Sequence, residues 1–222
     1  SLIYYCMKKI YTLITLLALT ISANAQTTLG MRLGANYSNV HFSANDDKND
    51  TKSKFGPTAG VYVNIPVNKK TSIQPELLYS SQGFRTKENL DLGGLNHDIE
   101  TKFKTDYITL PVFVKYKIQN GMTFEAGPQL SYFYLGKYTI QEDIRNEQGI
   151  IKTNSTRIDL KDDVDDLKDL DFSVVGGIGY NFKFGVSINA RYTYGITNFT
   201  KSDDVKLRNN YFSLSLAVPF IK

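Results

Sequence analysis

The sequence predicts an all-β fold, an eight-stranded antiparallel up-and-down transmembrane β-barrel, and three observations carry that prediction. Apolar residues alternate with polar or small ones along eight separate segments, the period of a strand with two different faces. The polar faces of those segments hold few charges, which suits an enclosed lumen better than a wetted surface. The connections alternate between long and very short, the pattern of a barrel with extended loops at one rim and tight turns at the other.

At 222 residues, with 41% hydrophobic and 22% charged residues, the chain has the composition of one folded domain, neither disordered nor a bundle of membrane helices. The formal charge of +4 includes Lys8 and Lys9; without them it is too small for a nucleic-acid footprint. Residues 7–25 read as a secretory signal. Met7, Lys8 and Lys9 start it, Ile10 to Ile21 form a mostly apolar run of 12 residues, and Ala23-Asn24-Ala25 offers a small-x-small cleavage site. The run is too short to span a membrane as a helix, which takes roughly 20 apolar residues. Cleavage is expected between Ala25 and Gln26, with residues 1–6 an upstream extension and 26–222 the barrel domain. The single cysteine, Cys6, lies ahead of that cut, so the exported chain is expected to rely on hydrogen-bonded sheet and packing, without disulfides.

The expected strands cover roughly residues 28–42, 55–67, 71–85, 106–118, 121–138, 170–182, 185–199 and 209–222. The fourth is the clearest. Ile108, Leu110, Val112, Val114, Tyr116 and Ile118 share one face, and Tyr107, Thr109, Pro111, Phe113, Lys115 and Lys117 the other. Its neighbours repeat the pattern, with Met31, Leu33 and Ala35 on the first strand and Ile188, Ala190 and Tyr192 on the seventh. Opposite these stand Gly30, Gly34, Asn36 and Ser38, and Ser187, Asn189, Thr193 and Gly195. Such small residues fit a lumen only wide enough for side chains. Asn120-Gly121 and Lys183-Phe184-Gly185 supply turns that tolerate positive φ. Residues 43–54, 86–105 and 139–169 read as the long loops. Tyr37, Tyr79, Tyr134, Phe182 and Phe199 near strand ends are expected to form the interfacial girdles.

The segment DYITLPVFVKYKI, Asp106 to Ile118, resembles the hallmark fourth strand of the PorT-like outer-membrane β-barrel family of Gram-negative bacteria. Its most specific motif is Tyr107 to Pro111, running on to Lys115-Tyr116. The segments NNYFSLSLAVPF, GGIGYNF, NARYTYGITNF and LGMRLGANYSNV extend the resemblance over nearly the whole mature chain. It implies an eight-stranded outer-membrane barrel related in shape to the OmpA and OmpX barrels. Most members of that family have no assigned activity, whereas its namesake assists a protein-secretion and gliding machinery.

Charges on the lumen-facing sides are the candidate functional residues: Arg32, Glu76, Lys115, Glu125 and Arg191. Isolated charges are costly in a narrow low-dielectric interior, so Arg32 and Arg191 are expected to pair with Glu76 and Glu125 and plug the barrel. The stretch 139–169 holds 9 acidic and 5 basic residues. Asp162, Asp163, Asp165 and Asp166 are weak Ca²⁺ candidates there, but their spacing does not match an EF-hand loop; a solvated loop or short surface helix is the expectation. His41 and His97 have no Ser or Asp partner at motif spacing and read as plain polar residues near the loops. Gly176-Gly-Ile-Gly179 lies within an alternating strand rather than opening a helix, so its glycines are expected to relieve crowding.

The functional expectation is a non-enzymatic, cofactor-free, monomeric outer-membrane scaffold with a plugged lumen. Its expected partners are membrane lipid, the barrel assembly machinery, and a protein or ligand met through the outer loops or the periplasmic face. An accessory subunit of a secretion machinery, a small porin and a soluble lipocalin-like carrier are the alternatives, the porin disfavoured because open channels usually need wider barrels.

Overall fold

The computed structural model describes residues 27–42, 51–91, 96–146, 149–159, 169–197 and 207–221. Within them run nine strands: β1 (Thr28–Phe42), β2 (Thr51–Pro66), β3 (Thr71–Asp91), β4 (Asn96–Lys117), β5 (Met122–Asn146), β6 (Gly149–Asp159), β7 (Leu170–Asn181), β8 (Ser187–Gly195) and β9 (Leu207–Ile221). All pairings are antiparallel. Strand order is β4-β3-β2-β1-β9-β8-β7-β5-β6, and β4 also pairs with β5. That pairing closes eight strands into a barrel, with β6 outside the ring. The first and last strands meet along a register that includes Leu33 opposite Leu216.

The apolar faces point outward. Leu33, Val112, Val114, Ile178, Ile188 and Leu214 all lie on the exterior wall, and the polar residues point in. An isolated water-soluble domain does not expose so continuous an apolar surface; a lipid-facing wall requires it. Aromatic residues gather at both ends of this wall. At the turn end Tyr180 and Phe182 meet edge to face at 5.0 Å and Phe182 stacks on Phe184 at 5.2 Å; toward the loop end Tyr37 packs against Phe55 at 4.9 Å. Tyr134 is exposed and Tyr79 half-buried, while Phe199 lies outside the described residues. The tight turns use the residues whose chemistry permits it, with positive φ at Asn120, Gly121 and Gly185.

The long connections differ from expectation. Residues 86–91 and 96–105 are strand rather than loop: β3 continues to Asp91 and β4 starts at Asn96, paired from Asp91–Asn96 down to the barrel. Nor is 139–169 a solvated loop or surface helix throughout. Its first part completes β5, and Gly149–Asp159 forms β6, paired with Lys137–Asn146 of β5. These extensions together make a four-stranded sheet, β3-β4-β5-β6, standing beyond the barrel wall. Once the barrel strands are paired, each further residue adds ladder hydrogen bonds, and the β-branched residues Ile99, Thr101, Thr139, Ile140, Thr153, Thr156 and Ile158 favour the extended backbone. The ends of β1 and β4 carry His41 and His97.

Candidate functional site

Five strands bring the charged lumen residues together. Lys115 on β4, Glu125 on β5, Gly177 on β7, Arg191 on β8 and Ser213 on β9 form one continuous cross-strand row. Gly177 is what lets the row close: a Cβ there would stand 2.9 Å from Cγ of Arg191. Arg191 Nε passes over it to donate to Glu125 Oε1 at 2.6 Å. The same guanidinium forks onto Glu76, with Nη1 to Oε2 and Nη2 to Oε1 both at 2.8 Å. This planar two-bond geometry is the strong form of a charge-assisted contact. Its flat face lies 4.0 Å from the ring centre of Phe113, a cation–π contact that locks the rotamer.

Arg32, on β1, completes the layer. It donates from Nη2 to Glu76 Oε1 at 2.8 Å and from Nη1 to Ser215 Oγ at 2.8 Å and Asn189 Oδ1 at 3.1 Å. Gln74 Nε2 donates to Glu76 Oε1 at 2.6 Å, and Lys115 Nζ donates to Gln74 Oε1 at 3.2 Å while standing 3.6 Å from Glu125 Oε2. All five charged groups are buried. Burying charge is costly, and only such multiple pairing offsets it. Three cations against two carboxylates leave the layer with one net positive charge.

Above the layer the lumen is nearly full. A space of about 20 Å³ remains among Asn36, Leu78, Phe113, Gln129, Val175 and Tyr211, room for roughly one water. Below it, at the turn end, a cavity of about 250 Å³ opens, lined by Asn64, Lys70, Gln74, Lys115, Lys117 and Thr123 among others.

Several lumen residues escaped the sequence reading. Tyr62, Phe133, Val175 and Tyr211 are buried inside, although each has the parity of the polar face of its strand, the signal that could have found it. Size is balanced locally: a Cβ on Gly30 would strike the ring of Tyr62. The glycine run of β7 divides. Gly177 and Gly179 relieve crowding, but a Cβ on Gly176 would meet nothing within 4 Å, so crowding does not account for that one.

At the loop end, Arg85 and Lys102 bond Glu100 at 2.9 and 3.2 Å, and Lys104 bonds Asp106 at 3.0 Å. The hydrogen bond to Asp106 holds the Lys104 ammonium above its ordinary range. Lys54 is pushed down instead, by burial and then by repulsion from Lys104 and Arg85. Among the described residues no group of three or more His, Cys, Asp or Glu is placed to hold a metal. The Ca²⁺ candidates Asp162, Asp163, Asp165 and Asp166, and the cleavage pair Ala25 and Gln26, lie outside the described residues.

Comparison with known proteins places this geometry. No curated protein sequence matches the chain. Among solved structures it is similar to Neisserial surface protein A, at 16% identity over 87% of this chain and 99% of that one, with a TM-score of 0.48. It is also similar to Ail, the attachment invasion locus protein of Yersinia pestis, at 15% identity over 86% and 97% with a TM-score of 0.43. Acinetobacter baumannii CarO2 follows at 9% identity over 86% and 99%, with a TM-score of 0.37. The sequence family defined by the outer membrane protein beta-barrel domain matches residues 24–201, well over half of the chain, which puts the lipid-facing wall in the bacterial outer membrane. The chain belongs to that outer-membrane β-barrel family.

Proposed function

We propose that the protein is a non-enzymatic, monomeric membrane scaffold with a plugged lumen, whose projecting outer sheet binds a partner or ligand. The buried charge layer carries this reading. Arg32, Glu76, Lys115, Glu125 and Arg191 fill the barrel cross-section, and the space above them is far too small for a solute path. A plugged lumen directs partner binding to the exterior, where the sheet of β3, β4, β5 and β6 stands beyond the wall. Export by a leader cut after Ala25 and insertion by the barrel assembly machinery belong to the same proposal.

A second reading, an accessory subunit of a protein-secretion machinery, draws support from the Tyr107 to Pro111 strand motif and its likeness to the PorT-like family. That role calls for a partner on the periplasmic face or against the wall.

Affinity purification of the tagged protein from mild-detergent extracts separates the two. The scaffold reading expects a binding partner that is lost when the outer hairpin is shortened by replacing residues 141–155, the tip bounded by the paired Gln141 and Ser155, with an Asn-Gly turn. A partner kept by the shortened protein favours the secretion subunit. Steady ion conductance by the intact protein contradicts the plug and restores the porin alternative.

A further inference from the structure

The periplasmic mouth of the lumen gathers cations and neutral polar groups. The lining of its 250 Å³ cavity includes Lys70, Lys115 and Lys117 together with Ser72, Gln74 and Thr123, and among the described residues no carboxylate. Its floor is the charge layer, itself one charge positive. Among the described residues, an anion entering from the periplasm meets five lysine and arginine cations and two carboxylates, Glu76 bonded by arginine through both oxygens and Glu125 through Oε1, its Oε2 standing 3.6 Å from Lys115.

Two further donors point the same way. Lys117, Thr123, Gly179 and Asn189 form the cross-strand row next to the charge row on its periplasmic side. A Cβ on Gly179 would collide with Asn189 Nδ2 and stand 2.7 Å from Thr123 Oγ1, so both groups converge over the bare glycine backbone. Thr123 Oγ1 and Asn189 Nδ2 are each buried with no hydrogen-bond partner among the described residues. Leaving a buried donor unmade costs on the order of 1–3 kcal/mol; of the two, Thr123 also lines the cavity, beside its cross-strand partner Lys117, where an oxygen-rich acceptor would satisfy it. Lys115 is suited to join them, because its present contacts are a 3.2 Å bond to Gln74 and a loose 3.6 Å approach to Glu125. We infer that the mouth is a binding site for a phosphate-type oxyanion, with Lys115 and Thr123 as its inner donors and Lys70 and Lys117 as its attracting rim.

Phosphate reaches this mouth either free in the periplasm or as the headgroup of an inner-leaflet lipid. The test is calorimetric titration of inorganic phosphate into the protein purified from outer membranes in a phosphate-free detergent. Saturable binding is expected, weakened about tenfold in Lys115→Gln and in Thr123→Val and comparably in the rim double variant Lys70→Gln, Lys117→Gln. The rim pair is exposed and Thr123→Val removes only an unpaired hydroxyl, so the test survives if Lys115→Gln fails to fold. Repetition in phosphatidylglycerol nanodiscs assigns the source: retained binding means a soluble anion, and binding lost there but present in detergent means a headgroup already in place. Absence of saturation at phosphate on the order of 10 mM, or binding unchanged in all the variants, overturns the site.

Discussion

A Cβ on Gly177 would stand 2.7 Å from the Ala190 carbonyl oxygen and 2.9 Å from Arg191 Cγ, so the bare glycine makes the room through which the Arg191 side chain crosses. The glycine is therefore part of the plug. Gly177→Ala should lower the unfolding free energy by about 1–3 kcal/mol through overpacking, whereas Gly176→Ala, facing open space, should change it by less than about 0.5 kcal/mol. Urea unfolding in detergent micelles, followed by tryptophan-free far-UV circular dichroism, reads both.

Glu76 accepts from Arg32, Arg191 and Gln74 at once. Glu76→Gln leaves two buried guanidiniums short of their counter-charge and is expected to cost about 3–5 kcal/mol. The same urea experiment checks it, and a loss smaller than that of Gly177→Ala would mean that hydration, rather than Glu76, stabilises the buried arginines.

Val112 sits on the outer wall, 44% exposed to whatever surrounds the barrel. Val112→Arg near the membrane midplane should destabilise the inserted protein by about 2–4 kcal/mol. The readout is the fraction that keeps the faster gel mobility of a folded barrel without heating; equal folding of variant and parent would reverse the assigned facing.

The loop-end lysines respond to alkali with opposite signs. Lys54 is depressed by burial and by its cationic neighbours, so between its folded value and the ordinary 10.5 the unfolded chain binds more protons and stability rises with pH. Lys104 is raised by Asp106; its contribution is complete below the ordinary value and disappears as pH climbs through the folded one. Lys54→Gln should abolish the rise below the ordinary value and leave the fall above it, as measured by thermal unfolding from neutral pH upward.

Much of the barrel was legible because lipid and lumen make opposite demands on successive residues. Strands such as Ile108 to Ile118 satisfy both, and their alternation cannot belong to a helix. The identities of the charged lumen residues followed from parity as well. Their partnerships did not: Glu76 and Arg191 are 115 residues apart and meet across the lumen, a distance that depends on the closure of the ring. The outer sheet was hidden for a different reason. Strands such as Gly149–Asp159 are held chiefly by backbone pairing, and Thr, Asn, Lys and Asp on both faces leave no apolar stripe to read. Tyr62 and Tyr211 were missed because aromatic residues serve equally well at a lipid interface and, beside glycine or serine, inside the lumen.

The plug is tested most directly by single-channel recording in a planar bilayer, comparing the protein with its Glu76→Ala, Glu125→Ala variant. Silence from the parent and leakage from the variant are the expected result, since the variant removes both carboxylates that hold Arg32, Lys115 and Arg191 across the lumen. Large, steady conductance from the parent would contradict the plugged scaffold and make the protein a porin.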